Sequence, residues 1–409
     1  MSRHIVIVGA SMGGLRAAEQ LRAAGWNGGV TVVGAEPHPP YNRPPLSKEV
    51  LAGQATDPAE AHAGLAFRRR ASLDDVDWRL GVPVVSADLE RRTVGLADGT
   101  TLSYDGLVVA SGLRPRRLPM PEPSRGRHVL RTVEDAVSLR AELTPGARVV
   151  VVGAGFIGCE VAATARRLGC DVTVVEPAGV PMGRVLGDGL GRSVQGRHEA
   201  EGVRFRLGRV VTALHGGERV TAVELDDGTV LRATVVVEAV GSYANVEWLE
   251  GTGLDLSDGL LCDNLMRVEG RPDVVAVGDV ARFPNPRFDA TARRVEHWCM
   301  PTETARRAAR TLAAHLAAEA VDEQEFTPLP TFWSDQFDLR LQSFGAPALA
   351  DRVEVLEGEL SAPSDLAKGV AVGYRRGAAL VGVVTVNLPA RAPHYRKLVD
   401  AGVGVPACT

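Results

Sequence analysis

Two glycine turns in this chain have the residues and spacing to cradle a pyrophosphate. Gly9-Ala10-Ser11-Met12-Gly13-Gly14 follows the apolar run Ile5 to Val8, and Gly153-Ala154-Gly155-Phe156-Ile157-Gly158 follows Val149 to Val152. Gly9 and Gly153 stand 144 residues apart, as do Gly14 and Gly158. In such a turn the first glycine permits the tight bend. The second lets the backbone approach the phosphates, and the third lets the helix pack closely on the strand. The helix start then offers unpaired N–H groups and partial positive charge. Glu176 lies 23 residues after Gly153, near the roughly 20-residue spacing at which an acid holds ribose hydroxyls. In the first copy Ser11 replaces the middle glycine, and Glu36 follows the strand end at Gly34, so its ligand is seated somewhat differently. Gly278-Asp279 closes the apolar run Val274 to Val277 and puts a carboxylate at a sheet's C-terminal edge, where ligands of doubly wound sheets bind.

The elements around these residues repeat. A helix from Leu15 to Ala24 and a strand from Val30 to Val33 follow the first turn; a helix from Cys159 to Leu168 and a strand from Val172 to Glu176 follow the second. One glycine turn alone is a weak signal. Two, each inside a strand-helix-strand unit, indicate two dinucleotide-binding folds in one chain. Leu107 to Gly112 and Val235 to Gly241 are short β-rich runs ending in glycine, suited to places where the chain crosses between units. From about Glu323 the texture changes to proline turns, aromatics and short strand-like runs such as Val370 to Tyr374 and Leu380 to Val384. The expected architecture is α/β: two Rossmann-like dinucleotide-binding domains plus a C-terminal α+β domain. The expected boundaries are 1–112 with 242–322 for the first domain, 113–241 for the second and 323–409 for the third.

At about 150 residues per domain, 409 residues make nearly three units. The chain is 45% apolar and 23% charged, which suits a globular protein with a sizeable core. No apolar run approaches the roughly 20 residues of a bilayer crossing, and Met1-Ser2-Arg3 passes straight into a strand. A cytoplasmic protein without a cleaved signal and without a membrane partner is expected. The net charge of −4 is too mild for a nucleic-acid groove. Cys159, Cys170, Cys262, Cys299 and Cys408 show no zinc spacing, so no metal is expected and the thiols read as packing residues in a reducing compartment. The only lysines are Lys48, Lys368 and Lys397, against 43 arginines, which singles out Lys48 in the proline-stiffened segment Pro40 to Lys48.

Pro40-Tyr41-Asn42-Arg43-Pro44-Pro45-Leu46-Ser47-Lys48, Gly153 to Glu160, Gly278-Asp279-Val280, Arg294-Val295-Glu296-His297-Trp298 and Phe332-Trp333-Ser334-Asp335-Gln336 together resemble a family over nearly the whole chain. It is the FAD-dependent NADH:ferredoxin reductase family of bacterial oxygenase systems, of the putidaredoxin reductase and biphenyl dioxygenase reductase type. The glutathione-reductase-like fold is shared with disulfide reductases and peroxidases, which need a redox cysteine beside the flavin; none stands between Tyr41 and Lys48. The resemblance implies that the first unit holds FAD. Gly9, Ser11 and Gly14 would form its phosphate turn, with Glu36 on the adenosine ribose, Arg43 near the pyrophosphate and Asp279 on the ribityl or phosphate portion. It implies Lys48 near the reducible flavin nitrogen, Glu160 as its acidic partner near the nicotinamide, and His297, Trp298 and Trp333 lining the isoalloxazine or its approach. The second unit would bind NADH through Gly153, Gly155 and Gly158. Glu176 would favour NADH over NADPH, a preference that nearby Arg184 blunts.

The sequence departs from the family where Met300-Pro301 and Thr304-Ala305 follow the Glu-His-Trp segment, so the surface facing the flavin is expected to differ. The implied activity is transfer of electrons from NADH through FAD to a 2Fe-2S or related ferredoxin that feeds an oxygenase. The alternatives are an NADH oxidase or diaphorase and a non-enzymatic flavoprotein that senses NADH. An acidic ferredoxin calls for a basic face, with residues 291–310 and Arg68-Arg69-Arg70 as the candidates.

Overall fold

The computed structural model describes residues 3–120 and 122–402; Cys408 lies outside them. The first unit is β1 (His4–Val8), α1 (Met12–Ala23), β2 (Gly29–Gly34), β3 (Asp77–Leu80) and β4 (Gly106–Val109). The second comprises β5 (Arg127–His128), α2 (Val133–Glu142), β6 (Arg148–Val152), α3 (Phe156–Arg167), β7 (Asp171–Glu176), α4 (Gly183–Ala200), β8 (Arg204–Leu207) and β9 (Val235–Glu238). The chain then returns to the first sheet with β10 (Val274–Ala276) and covers it with α5 (Met300–Ala317).

Both sheets are wholly parallel, in the orders β10-β4-β1-β2-β3 and β8-β7-β6-β9-β5. Each sheet is covered on both faces, by helices on one and a small three-stranded antiparallel sheet on the other, as where Val150 and Val152 pack on Val211, Val223 and Leu225. This explains why Ile5 to Val8 and Val149 to Val152 are continuous apolar runs rather than alternating ones; all eight residues are buried. The two crossings between units, Leu113–Pro115 and Ser242–Ala244, pair antiparallel.

Each turn stays tight for a steric reason. Gly9 and Gly153 adopt positive φ, 119° and 103°, where a Cβ would strike the carbonyl oxygen of Ala110 or Ala239 at 2.1 and 2.3 Å. A Cβ on Gly14 or Gly158 would strike the Gly9 or Gly153 oxygen at 1.9 and 2.1 Å, so these are the positions where helix and strand touch.

The C-terminal unit is an antiparallel sheet of β11 (Thr331–Gln336), β12 (Leu339–Gly345), β13 (Arg352–Glu357), β14 (Val370–Arg376) and β15 (Ala379–Val386), ordered β11-β12-β15-β14-β13, with α6 (Ala392–Gly402) packed on β15. One of its faces joins the core of the second unit, where Leu339, Leu341, Val372 and Tyr374 cluster with Cys159, Leu186 and Val194. The Tyr374 hydroxyl donates to the Leu186 carbonyl at 2.8 Å. That packing lays β11 against α3. No helix among the described residues is long and apolar enough to cross a membrane.

Candidate functional site

The first cavity, about 290 Å³, opens on the start of α1 and is lined by Ser11, Met12, Gly13, Arg43, Asp279 and Trp298 among others. Ser11 is the N-cap of α1, yet its side chain makes no capping bond and no acid stands in the first turn. The helix start therefore presents unpaired N–H groups to the cavity. Arg43 Nε donates to Ser11 Oγ at 3.2 Å, its other nitrogens donate to the Tyr41 hydroxyl and the Arg131 carbonyl at 2.9 and 2.7 Å, and it pairs with Glu36. The Tyr41 phenol, held protonated by burial, donates to Glu36 Oε2 at 2.6 Å. Asp279 sits in a 3₁₀ turn (Gly278–Val280) beyond β10. Its side chain is 18% exposed, toward the cavity, and lies 3.7 Å from Arg131. Burial, with Glu296 adding to it, pushes the Asp279 carboxyl up to about 6 although Arg131 pulls it down.

At the far end of this cavity Lys48 and Glu160 meet. Lys48 Nζ stands 2.7 Å from Glu160 Oε2 and donates to the Pro44 carbonyl at 2.9 Å. Ser47 Oγ donates to the same carboxylate oxygen at 2.5 Å, while Ser334 Oγ, from β11, donates to Oε1 at 2.6 Å. Thr164, one helical turn beyond Glu160, donates to the Ser47 carbonyl at 2.8 Å. The proline segment is thus tied to α3 at two levels.

A second cavity, about 640 Å³, opens on the start of α3 and includes Gly155, Gly158, Ala239 and Ser242 in its wall. Gly155 is the N-cap of α3, without a side-chain cap or an acid in the first turn. A Cβ there would meet nothing within 4 Å, which is the room a phosphate needs. The two cavities share Phe156, Ile157, His297, Phe332 and Asp279. The Phe332 ring stacks edgewise on Phe156 and on His297 at 4.7 and 4.9 Å. Burial lowers His297 to about 4, so it is neutral near pH 7.

Among the other expected residues, Trp333 and Trp298 border the first cavity; Trp333 is 39% exposed and Trp298 stacks on Phe67. Glu176 ends β7 and accepts the Ala154 and Ala178 N–H groups at 2.7 and 2.9 Å. Arg184 is exposed at the start of α4 and lines neither cavity. Pro301 stands at the start of α5 and borders the first cavity, while the Thr304 hydroxyl accepts the Gly278 N–H at 2.9 Å. The departures from the family pattern therefore support the Gly278–Val280 turn.

The expected basic face over residues 291–310 does not form as a unit. Arg293 pairs with Asp289, Arg294 with Asp258 and Glu296, and Arg306 with Glu303. Arg307 is 7% exposed and donates to the Asn264 and Gln324 carbonyls. Arg68, Arg69 and Arg70 are all exposed, next to Phe67.

Arg131, Ser47, Ser334, Gln336, Phe156 and Phe332 carry site geometry that sequence reasoning assigned to none of them. Arg131 had one local signal, since it directly precedes the Thr132/Asp135 capping box that starts α2. Ser334 and Gln336 had another: two polar residues at alternate positions of a strand share a face, and both are buried.

The pyridine nucleotide-disulphide oxidoreductase profile matches residues 3–309, and the reductase C-terminal profile matches 331–408. Rhodocoxin reductase of Rhodococcus erythropolis is 37% identical over 96% of this chain and 88% of its own length. The ferredoxin–NAD(+) reductase component of the anthranilate 1,2-dioxygenase system of Burkholderia cepacia is 37% identical over 97% and 94%. The reductase in the crystal structure of the covalent putidaredoxin reductase–putidaredoxin complex superposes with a TM-score of 0.87 at 33% identity, covering 98% of this chain and 93% of that one. Paired glycine turns, facing cavities and end-to-end similarity agree: the chain belongs to the pyridine nucleotide-disulphide oxidoreductases, among the FAD-containing, NADH-dependent ferredoxin reductases of oxygenase systems.

Proposed function

We propose that this protein takes electrons from NADH and passes them through FAD to a small 2Fe-2S or related ferredoxin, which supplies a bacterial oxygenase. The observation that carries the reading is the meeting of two cavities, each opening on one uncapped glycine-turn helix, across a shared wall of Phe156, His297 and Phe332. The donor sets fit both coenzymes: unpaired N–H groups and Arg43 for one pyrophosphate, and the open face of Gly155 for the other.

When bound, FAD accepts a hydride from NADH and releases the electrons singly to an iron–sulfur acceptor. Around it, Gly9 and Gly14 would hold the turn, Ser11 and Arg43 the phosphates, Glu36 the adenosine ribose and Asp279 the ribityl or phosphate portion. Arg43 suits that task because its planar donors stay charged. Lys48 would fix a cation where negative charge develops, and Glu160 would anchor it and orient the nicotinamide. His297, Trp298 and Trp333 would wall the ring system and exclude water; neutral His297 moves no proton. Gly153 and Gly158 would shape the second turn, Gly155 would admit the NADH phosphates, and Glu176 would accept its ribose hydroxyls and repel a 2′-phosphate. Arg184, exposed in the first turn of α4 and outside both cavities, would blunt that repulsion only from a distance.

In this reading 1–112 with 242–322 carries FAD, 113–241 carries NADH, and 323–409 closes the site with β11. The scattered thiols support placing it in the cytoplasm, a reducing compartment. Stopped-flow mixing of the yellow holoenzyme with NADH or NADPH, then with candidate ferredoxins, tests the reading. Rapid, saturable ferredoxin reduction after NADH is expected. Fast turnover with oxygen alone, or a reduced complex that ferredoxin does not discharge, overturns it.

A further inference from the structure

Behind the Lys48–Glu160 pair runs a line of buried polar groups that the roles above do not use. Ser334 Oγ donates to Glu160 Oε1 at 2.6 Å, Gln336 Nε2 donates to Ser334 Oγ at 3.0 Å, and His198 Nε2 meets Gln336 Oε1 at 2.8 Å. Gln336 Nε2 also meets Met182 Sδ at 3.4 Å. Ser334, Gln336 and His198 are at most 1% exposed.

The polarity of this line is set by its chemistry. An amide nitrogen only donates and an amide oxygen only accepts. Gln336 must therefore give its N–H to Ser334 and receive the His198 N–H. Burial lowers His198 to about 4, which keeps it neutral with its one proton on Nε2, and its buried Nδ1 has no partner. With its oxygen already accepting from Gln336, the single hydroxyl proton of Ser334 points at Glu160. The C-terminal sheet thus aims one donor at the carboxylate oxygen that Lys48 and Ser47 do not touch.

We propose that Ser334, oriented by Gln336, is a positioning residue for hydride transfer: its hydroxyl fixes the rotation of the Glu160 carboxylate and, through it, the place of the Lys48 ammonium. Lys48 and Ser47 restrain the carboxylate through one oxygen alone, and a third donor on the other oxygen adds an independent restraint on its rotation. The Ser334–Glu160 bond spans 174 positions of sequence, so the reductive site is complete only when the C-terminal sheet is docked.

The inference rests on the reading of Lys48 and Glu160 given above. Ser334→Ala, Gln336→Leu, their double variant and Glu160→Gln are compared as holoenzymes. The measurements are the flavin reduction rate at saturating NADH, the dissociation constant for NAD+ and the flavin midpoint potential. For Ser334→Ala we expect reduction slowed about tenfold. Its midpoint should lie about 30 mV more negative, the two-electron equivalent of a tenfold change, while NAD+ affinity stays within about twofold. Gln336→Leu should shift rate and potential in the same direction by less, with no further effect once Ser334 is alanine, because it acts through that hydroxyl. Wild-type rate and potential in Ser334→Ala, with slow reduction in Glu160→Gln, overturn the inference and leave the ion-pair reading standing. Wild-type behaviour in Glu160→Gln overturns both. Should Ser334→Ala not retain flavin, Gln336→Leu decides alone, and an unchanged potential refutes the inference.

Discussion

Gly155 and Gly158 belong to one turn and should fail in opposite ways when each becomes alanine. At Gly158 the new Cβ lands 2.1 Å from the Gly153 carbonyl oxygen and 3.4 Å from the Ala239 Cβ. Both neighbours are held, one by backbone and one by a strand end, so helix and strand must separate. Overpacking of this kind costs about 1–3 kcal/mol, more where backbone rather than side chain must move. At Gly155 a Cβ meets nothing within 4 Å and φ is −72°, a value any residue adopts. Loss of glycine at an N-cap and the stiffer unfolded chain nearly cancel, leaving stability within about 1 kcal/mol. The methyl instead occupies the approach to the α3 N–H groups. Losing one charge-assisted hydrogen bond there, worth about 1.5–3 kcal/mol, weakens NADH by roughly 10- to 100-fold. Thermal melts and NADH titrations of the two holoenzymes read this directly. Gly155→Ala should melt with wild type and bind NADH poorly, while Gly158→Ala should melt several degrees lower. Equal loss of stability in both, or full NADH affinity in Gly155→Ala, refutes the steric assignment.

Glu176→Ala should raise the KM for NADH by roughly tenfold and narrow the gap to NADPH while FAD stays bound; unchanged NADH kinetics count against the ribose role. Lys48→Met should slow flavin reduction by roughly 10- to 100-fold at saturating NADH, and it leaves Glu160 with a buried charge lacking its cation, so the melt should fall as well. A wild-type reduction rate would exclude Lys48 from the reductive site. Asp279 has a folded pKa of about 6 against an ordinary 3.8, so the folded, flavin-free protein binds that proton more tightly than the unfolded chain. Its contribution is most favourable below pH 4 and is lost as pH rises through 6, at about 1.4 kcal/mol per pH unit, or about 3 kcal/mol at most. Asp279→Asn should therefore raise the melting temperature of flavin-free protein at pH 7.5 and much less at pH 4.5; a gain independent of pH would contradict this.

What was legible in the sequence was local. The two turns, their helices and the acids after the following strands all sit within 30 residues, and close strand–helix contact dictates the glycines at fixed offsets. The pairing of Lys48 with Glu160 was reached only by resemblance, because 112 residues separate them and no periodicity links a proline loop to a distant helix. Ser334 and Gln336 showed a polar face on a strand but not its partner. The basic count over 291–310 misled for a geometric reason: a hairpin strand and a helix share that interval, so Arg293 and Arg294 fold back on acids while Arg307 turns inward. Charge summed along a chain says little where the chain changes direction.

Gly155 caps α3 and Glu160 lies on it five residues later. At 1.5 Å per residue the helix sets about 7.5 Å of axial rise between the two, so it works as a ruler laid along the dinucleotide, from its charged middle to its reactive end. One residue inserted between these marks would lengthen the scale by about 1.5 Å and swing the carboxylate about 100° off its bearing, leaving a coenzyme that could still be gripped yet never aligned.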